Sequence, residues 1–304
     1  MAAVLMAASM ENTENALLDE DARARLVDRF GPAAQAWCDA LPTLVDRLCR
    51  RWGLTVSEAR PGNTGRTLLC RDGEGVLKVL KLCPDRAIAT AEATALGSWA
   101  GLSRVVQILD ADLDHGAVLL EGLEPGDTFT ERGADVPWDQ IGELLADVHG
   151  VPAAGPFPTQ LERVRFMFGL AEQRLAGSPA EAHLSRQALR TGLARAEKLA
   201  ASGPIALVHG DLHPGNVLDA GPERGAVAID PRPCVGDPAF DAVDWAVLPM
   251  ADGGAVEDGI ARLPHLDGDR VRAWCVALAP LVAMGPLRRG GPTPFTDAVL
   301  RLAS

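Results

Sequence analysis

Val208-His209-Gly210-Asp211-Leu212-His213-Pro214-Gly215-Asn216-Val217, followed by Ala226-Val227-Ala228-Ile229-Asp230, sets a carboxylate, an amide and a second carboxylate close along the chain. Four residues separate Asp211 from Asn216, and Asp230 ends an apolar run. Ile205-Ala206-Leu207-Val208 reads as a buried strand entering a polar loop, and Ala226 to Ile229 as an adjoining strand that delivers Asp230. Pro214 and Gly215 supply the tight turn between them. Any one of these polar residues alone suits a turn between two core strands, with the histidines as satisfied side chains. Together they suit chemistry.

The interval between Asp211 and Asn216 is that of the H-R-D-x-x-x-x-N catalytic loop of protein kinases. A hydroxyl attacking a γ-phosphate needs a carboxylate to orient it and accept its proton, the role that falls to Asp211. Nucleotide phosphates need Mg²⁺, a hard cation that prefers oxygen donors and keeps several waters. Asn216 offers a neutral carbonyl oxygen and Asp230 an anionic one, so the metal gains two donors without a third charge beside the base.

Composition narrows the partners. The chain has 304 residues, 47% of them hydrophobic, which is enough for two lobes with a sizeable core. Against 29 Lys plus Arg stand 41 Asp plus Glu, a formal charge of −12. That argues against a nucleic-acid partner, which needs a basic face. It suits a cationic small molecule drawn in by a negative field, and equally simple solubility. Cysteines 38, 49, 70, 83, 234 and 275 form no C-x-x-C pair and read as reduced core thiols. Met1 to Met10 is apolar but has no basic n-region, so it makes a poor signal peptide, and translation could equally begin at Met10. No apolar stretch reaches the roughly 20 residues of a bilayer span. The expectation is a cytoplasmic protein without a membrane partner.

Along the chain, residues 17–30 and 32–52 read as amphipathic helices, the second with Leu41, Leu44, Val45 and Leu48 on its apolar face and Gly53 as its stop. Strands are expected at 54–56, 67–70, 76–82, 105–109 and 117–121, with Asp72-Gly73 as a hairpin turn and a helix at 86–100. From Trp138 the pattern is helical, at 138–150, 160–176 and 179–201, and again after Phe240. The fold class is α+β, in two lobes: residues 1–124 with a small antiparallel sheet, and 125–304, mainly helical. Leu123-Glu124-Pro125-Gly126 has hinge chemistry.

The first lobe holds the parts that such a loop requires. Gly62-Asn63-Thr64-Gly65 stands between the first two strands, where the amides around Gly62 and Gly65 could approach phosphates; otherwise it is only a turn. A strand lysine should meet the α- and β-phosphates and pair with a helix glutamate. Lys78 and Lys81 both follow aliphatic residues; Lys81 is preferred because it lies nearer the next helix and Glu92. Glu121 and Leu123 fall where hinge backbone would bond adenine.

H-G-D-L-H-P-G-N-V-L, then A-I-D-P, then G-D-P-A-F-D, resembles the aminoglycoside phosphotransferase group, which has the protein-kinase-like fold. Val79-Leu80-Lys81-Leu82, Trp99-Ala100-Gly101 and Leu119-Leu120-Glu121 look like its streptomycin 6-kinase and hydroxyurea-kinase branch. The resemblance covers most of residues 30–250. It implies ATP and Mg²⁺ as cofactors, Asp211 as base, Asn216 and Asp230 as metal ligands, and Lys81 with Glu92 as the nucleotide-positioning pair. It implies that His209 braces the loop. There is no D-F-G, activation loop or A-P-E segment, which counts against a protein substrate. Asp237 reads as a turn former and Asp241 as the N-cap of a helix near Ala242, unless they face substrate. A cationic acceptor would draw on carboxylates among Asp241, Asp244, Asp252, Glu257 and Asp258, beside Trp245; hydroxyurea, small and neutral, would need none. The expected activity is O-phosphorylation of an aminoglycoside antibiotic, first of all streptomycin. The alternatives are a hydroxyurea or metabolite kinase, or a nucleotide-binding scaffold.

Overall fold

A computed structural model describes residues 17–60, 62, 64–132 and 136–303. The leader and start-site expectations fall on residues 1–16, outside the described residues, as does Asn63. The chain divides into two compact units. One holds the described residues up to Ala100 together with Val106–Glu124; the other holds Gly101–Val105 and the residues from Pro125 onward.

The first unit begins with helices α1 (Glu20–Phe30) and α2 (Ala33–Trp52), followed by strands β1 (Thr55–Arg60), β2 (Arg66–Arg71) and β3 (Leu77–Leu82). Helix α3 (Arg86–Ser98), β4 (Ile108–Asp112) and β5 (Ala117–Glu121) complete it. The five strands form one antiparallel sheet in the order β1-β2-β3-β5-β4. Leu26, Leu41, Val45 and Leu48 bury the apolar stripes of α1 and α2 against Leu68, Cys70, Leu80 and Leu82 of the sheet. Asp19 starts α1 by accepting the Ala22 amide at 2.6 Å.

The second unit contains α4 (Phe129–Arg132), α5 (Trp138–His149), α6 (Gln160–Leu175) and α7 (Arg186–Ala200). Short strands β6 (Ala206–Val208), β7 (Val217–Asp219), β8 (Ala226–Ala228) and β9 (Cys234–Gly236) follow. Then come α8 (Val243–Ala246), α9 (Val256–Ile260), α10 (Gly268–Gly290) and α11 (Pro294–Leu302). Helix α10 packs on both α7 and α11, and α6 packs on α7.

Four expectations change. The strands flanking the Asp211 loop do not pair with each other: β6 pairs with β9, and β7 with β8. β7 and β9 have three residues each, too few for alternation to register in sequence. The expected strand at 105–109 starts only at Ile108, because Val105 instead bridges to Ala228 in the second unit. The helix expected at 179–201 is broken: a 3₁₀ turn spans Pro179–Ala182, and Ser185 then caps α7 through the Ala188 amide at 3.1 Å. Helix α10 is, at 23 residues, long and apolar enough by length and composition to cross a membrane, where no such stretch was expected. Charged residues at both its ends hid its length. Trp274, Cys275, Ala277, Ala279 and Ala283 are fully buried within the unit, which makes it a core helix.

Candidate active site

In the first unit, strand period sends the two lysines to opposite faces. Lys78 shares a strand face with Leu80 and Leu82, which point into the α1/α2 core; Lys81, an odd number of residues away, points to the opposite face. Lys81 makes a short ion pair with Glu92 of α3. Glu92 is buried, so its charge needs that cation. Lys78 instead pairs with Asp72 of the hairpin turn at 3.4 Å. At Gly65 the chain passes so near the Leu82 carbonyl that any Cβ would overlap it. Gly62 is likewise pressed against the Gly65 carbonyl, where a Cβ would lie at 2.8 Å. The Glu121 side chain accepts the Gln107 amide at 2.7 Å, and the Glu121 amide donates to the Gln107 carbonyl at 3.0 Å. Leu123 is buried at the end of this segment.

The second unit gathers the three residues of the motif. His209, Gly210 and Asp211 leave β6, and a 3₁₀ turn over Pro214–Asn216 leads into β7. The Asn216 amide nitrogen donates to the Asp211 carbonyl at 2.9 Å and approaches its Oδ2 at 3.4 Å. The Ile229 amide donates to the Asn216 carbonyl at 2.9 Å, which ties the residue before Asp230 to the loop. His209 Nε2 donates to the Ile229 carbonyl at 3.0 Å, and the Arg232 amide donates to the His209 carbonyl at 2.8 Å. Burial holds the His209 imidazole below its ordinary pKa, so it stays neutral as this tether. His213 caps the turn by accepting the Gly215 amide at Nδ1, 3.0 Å.

Asp230 has φ of 57°, left-handed backbone that non-glycine residues rarely adopt, and its Oδ1 lies 3.2 Å from Arg232. Among the described residues no group of three or more His, Cys, Asp or Glu could hold a metal ion. The donor set fits Mg²⁺ nonetheless. With its nitrogen committed to Asp211, Asn216 has its carbonyl oxygen left to offer, and Asp230 adds a carboxylate; a nucleotide-bound Mg²⁺ takes its remaining ligands from phosphate and water.

The other acidic residues divide sharply. Asp241 does not cap the following helix. Its carboxylate accepts the His209 amide at 2.7 Å, the Gly210 amide at 2.8 Å and His149 Nε2 at 3.0 Å. Burial alone would raise its pKa, but the His149 bond and charge, with His209 and the Gly210 amide, hold it below the usual carboxylate range. Asp237 supplies the cap, accepting the Ala239 amide at 3.0 Å, and also binds Trp274 Nε1 at 2.7 Å and Arg270 Nε at 2.6 Å. Both are buried and bonded within the protein, which agrees with a structural role, although Asp241 braces the loop and does not cap a helix. Glu257 pairs with Arg272, and Asp258 accepts the Ala255 amide at 2.7 Å. Trp245 is fully buried and belongs to the core. Asp244 differs: among the described residues it has no ion pair or hydrogen bond, and it is partly exposed. Crowding by protein raises its pKa to about 6; His213 opposes the rise, while Asp211 and Asp241 add to it.

Arg163 is the residue that sequence reading missed. From the first turn of α6 it donates to the Gly210 carbonyl through Nη2 at 2.9 Å and Nε at 3.3 Å, with Nη2 3.7 Å from Asp211 Oδ1. Its distance in sequence from the loop left no signal.

The sequence model of the phosphotransferase enzyme family (APH) matches residues 55–274. The chain is 33% identical over 258 residues to a hydroxyurea phosphotransferase of Kitasatospora aureofaciens, covering 81% of this chain and 73% of that one. It is 34% identical over 235 residues to a streptomycin 6-kinase of Streptomyces glaucescens, covering 76% and 74%. Choline kinase LicA from Streptococcus pneumoniae shares the fold, with a TM-score of 0.59 at 14% identity over 87% of this chain and 99% of that chain. A carboxylate, an amide and a second carboxylate tied together on this protein-kinase-like frame, and a family match spanning most of the chain, lead to one statement: the chain belongs to the APH phosphotransferase enzyme family, ATP-dependent kinases of small molecules.

Proposed function

We propose that this kinase phosphorylates a hydroxyl of streptomycin in the cytoplasm, at the 6-position, with Asp211 as the base. The observation that carries the reading is the Asp211 carboxylate itself. It is partly exposed, with one oxygen 3.4 Å from the Asn216 amide and the other 3.7 Å from Arg163. It is steadied from both sides, and among the described residues its oxygens meet only these two longer contacts. An entering alcohol can therefore donate to it and pass over its proton as the oxygen attacks phosphorus. Lys81, kept in place by Glu92, would hold the α- and β-phosphates, and the backbone near Gly62, Gly65, Glu121 and Leu123 would seat the rest of the nucleotide. Asn216 and Asp230 would hold Mg²⁺, which supplies charge neutralisation at the β- and γ-phosphates when bound.

Streptomycin carries guanidino cations, and Asp244, a carboxylate with no hydrogen bond or ion pair among the described residues, supports a cationic acceptor. A phosphate added to the drug would place negative charge where its target meets a hydroxyl and a cation, which is the basis of a resistance role. A second reading, a hydroxyurea kinase, has its own support: most acids beyond the loop are engaged internally, so the acidic wall is thin. A panel with γ-labelled ATP separates them. Labelled product from streptomycin is expected; product from hydroxyurea or another alcohol, with none from streptomycin, would sink the drug assignment. Asp211→Asn should abolish transfer while ATP binding persists.

A further inference from the structure

Helix α6 starts under unusual constraint. Thr159 and Glu162 form a reciprocal capping box, the Thr159 amide donating to Glu162 Oε2 at 2.7 Å and the Glu162 amide to Thr159 Oγ1 at 3.2 Å. The fully buried Gln160 bonds the backbone of Asp237 on both sides, through the Asp237 carbonyl at 3.1 Å and the Asp237 amide at 3.0 Å. The Val235 amide donates to the Pro158 carbonyl at 2.9 Å. The first turn of α6 is thus fastened to β9 and the segment after it, and Arg163 stands on that turn.

At the other end of the contact, Gly210 has φ of 78°, and a Cβ there would overlap the Arg232 carbonyl. The left-handed turn fixes the direction of the Gly210 carbonyl, which accepts both guanidinium bonds. Burial disfavours the Arg163 charge, and Asp211 offsets part of that cost. A largely enclosed guanidinium is a poor choice for stability alone, since an apolar side chain of the same volume avoids the desolvation. Its planar fork can grip one carbonyl while its edge faces a carboxylate, which no apolar residue can do.

We infer that Arg163 is a positioning residue for phosphoryl transfer: by anchoring the Gly210 carbonyl and facing Asp211 Oδ1, it sets the angle at which the Asp211 carboxylate meets the acceptor hydroxyl. The inference rests on the reading of Asp211 as the base. Misplacing a reacting group by about an ångström costs on the order of 100-fold in rate.

The test uses the full-length enzyme with ATP and the best acceptor from the panel above. Arg163→Met should lower kcat about 100-fold while KM for ATP stays within about twofold. Arg163→Lys, which keeps the charge but lacks the fork, should keep the fold and lose roughly tenfold in kcat. Millimolar guanidinium chloride should restore part of the activity of Arg163→Ala and none to Asp211→Asn. Full kcat in Arg163→Lys would overturn the inference. So would equal losses in kcat and ATP affinity in that variant, without rescue of Arg163→Ala. If Asp211→Asn stays active, the base assignment falls first; if it is dead while the Arg163 variants run at full rate, only the positioning role falls.

Discussion

Asp237, Asp241 and Asp244 lie within one short segment, yet they meet opposite fates. The first two are surrounded by donors, while the third has none among the described residues. A carboxyl raised to about 6 by the fold withholds stability from the folded state once it is ionised in both states. The sign follows from the raised value. The native state binds this proton more tightly, so its contribution is present at low pH and disappears as pH rises through about 6. Asp244→Asn should therefore stabilise the protein more at pH 8 than at pH 4, read as the difference in thermal midpoint from the parent. The same variant should raise KM for streptomycin at least several-fold and leave a neutral acceptor unaffected. A destabilised Asp244→Asn at pH 8 would refute the electrostatic account. The buried, neutral His209 acts with the opposite sign, losing stability as pH falls below about 6.5, so only differences between variants isolate Asp244.

Among elements, strand β3 and the loop after β6 carry the most consequence. The strand's period of two sends Lys81 to Glu92 and Lys78 to Asp72. Lys81→Ala should raise KM for ATP or lower kcat by tenfold or more, while Lys78→Ala changes either by less than about threefold; equal losses would discard the face argument. The order was readable from parity with Leu80 and Leu82, and nearness to Glu92 led to the same residue. The Asp211 loop depends on Asp241, whose carboxylate receives two successive backbone amides and His149. Asp241→Ala would leave these donors buried and should cost about 3–5 kcal/mol in denaturant unfolding, with activity falling in parallel. Sequence reading assigned Asp241 to a helix cap because the local pattern allowed it. The actual donors lie 31, 32 and 92 residues away, beyond any local rule.

For the molecule as a whole, the formal charge of −12 gives a field that favours cationic acceptors. Raising ionic strength from about 0.02 to 0.3 M shortens the Debye length to below about 10 Å. KM for streptomycin should then rise several-fold while KM for hydroxyurea stays level; parallel responses would exclude steering by the protein's charge. Sequence alone determined the class of chemistry, because Asp211, Asn216 and Asp230 are close along the chain and their spacing is set by one loop and one short strand. It also determined most helices and the strands of the first sheet, whose periodicity runs long enough to register. Only the tertiary structure decided which short strands pair, which acids are braces, and that Arg163 reaches the loop from α6. The reason is physical: those outcomes depend on donors and acceptors that meet across long stretches of chain, and burial selects among them only after the chain has folded.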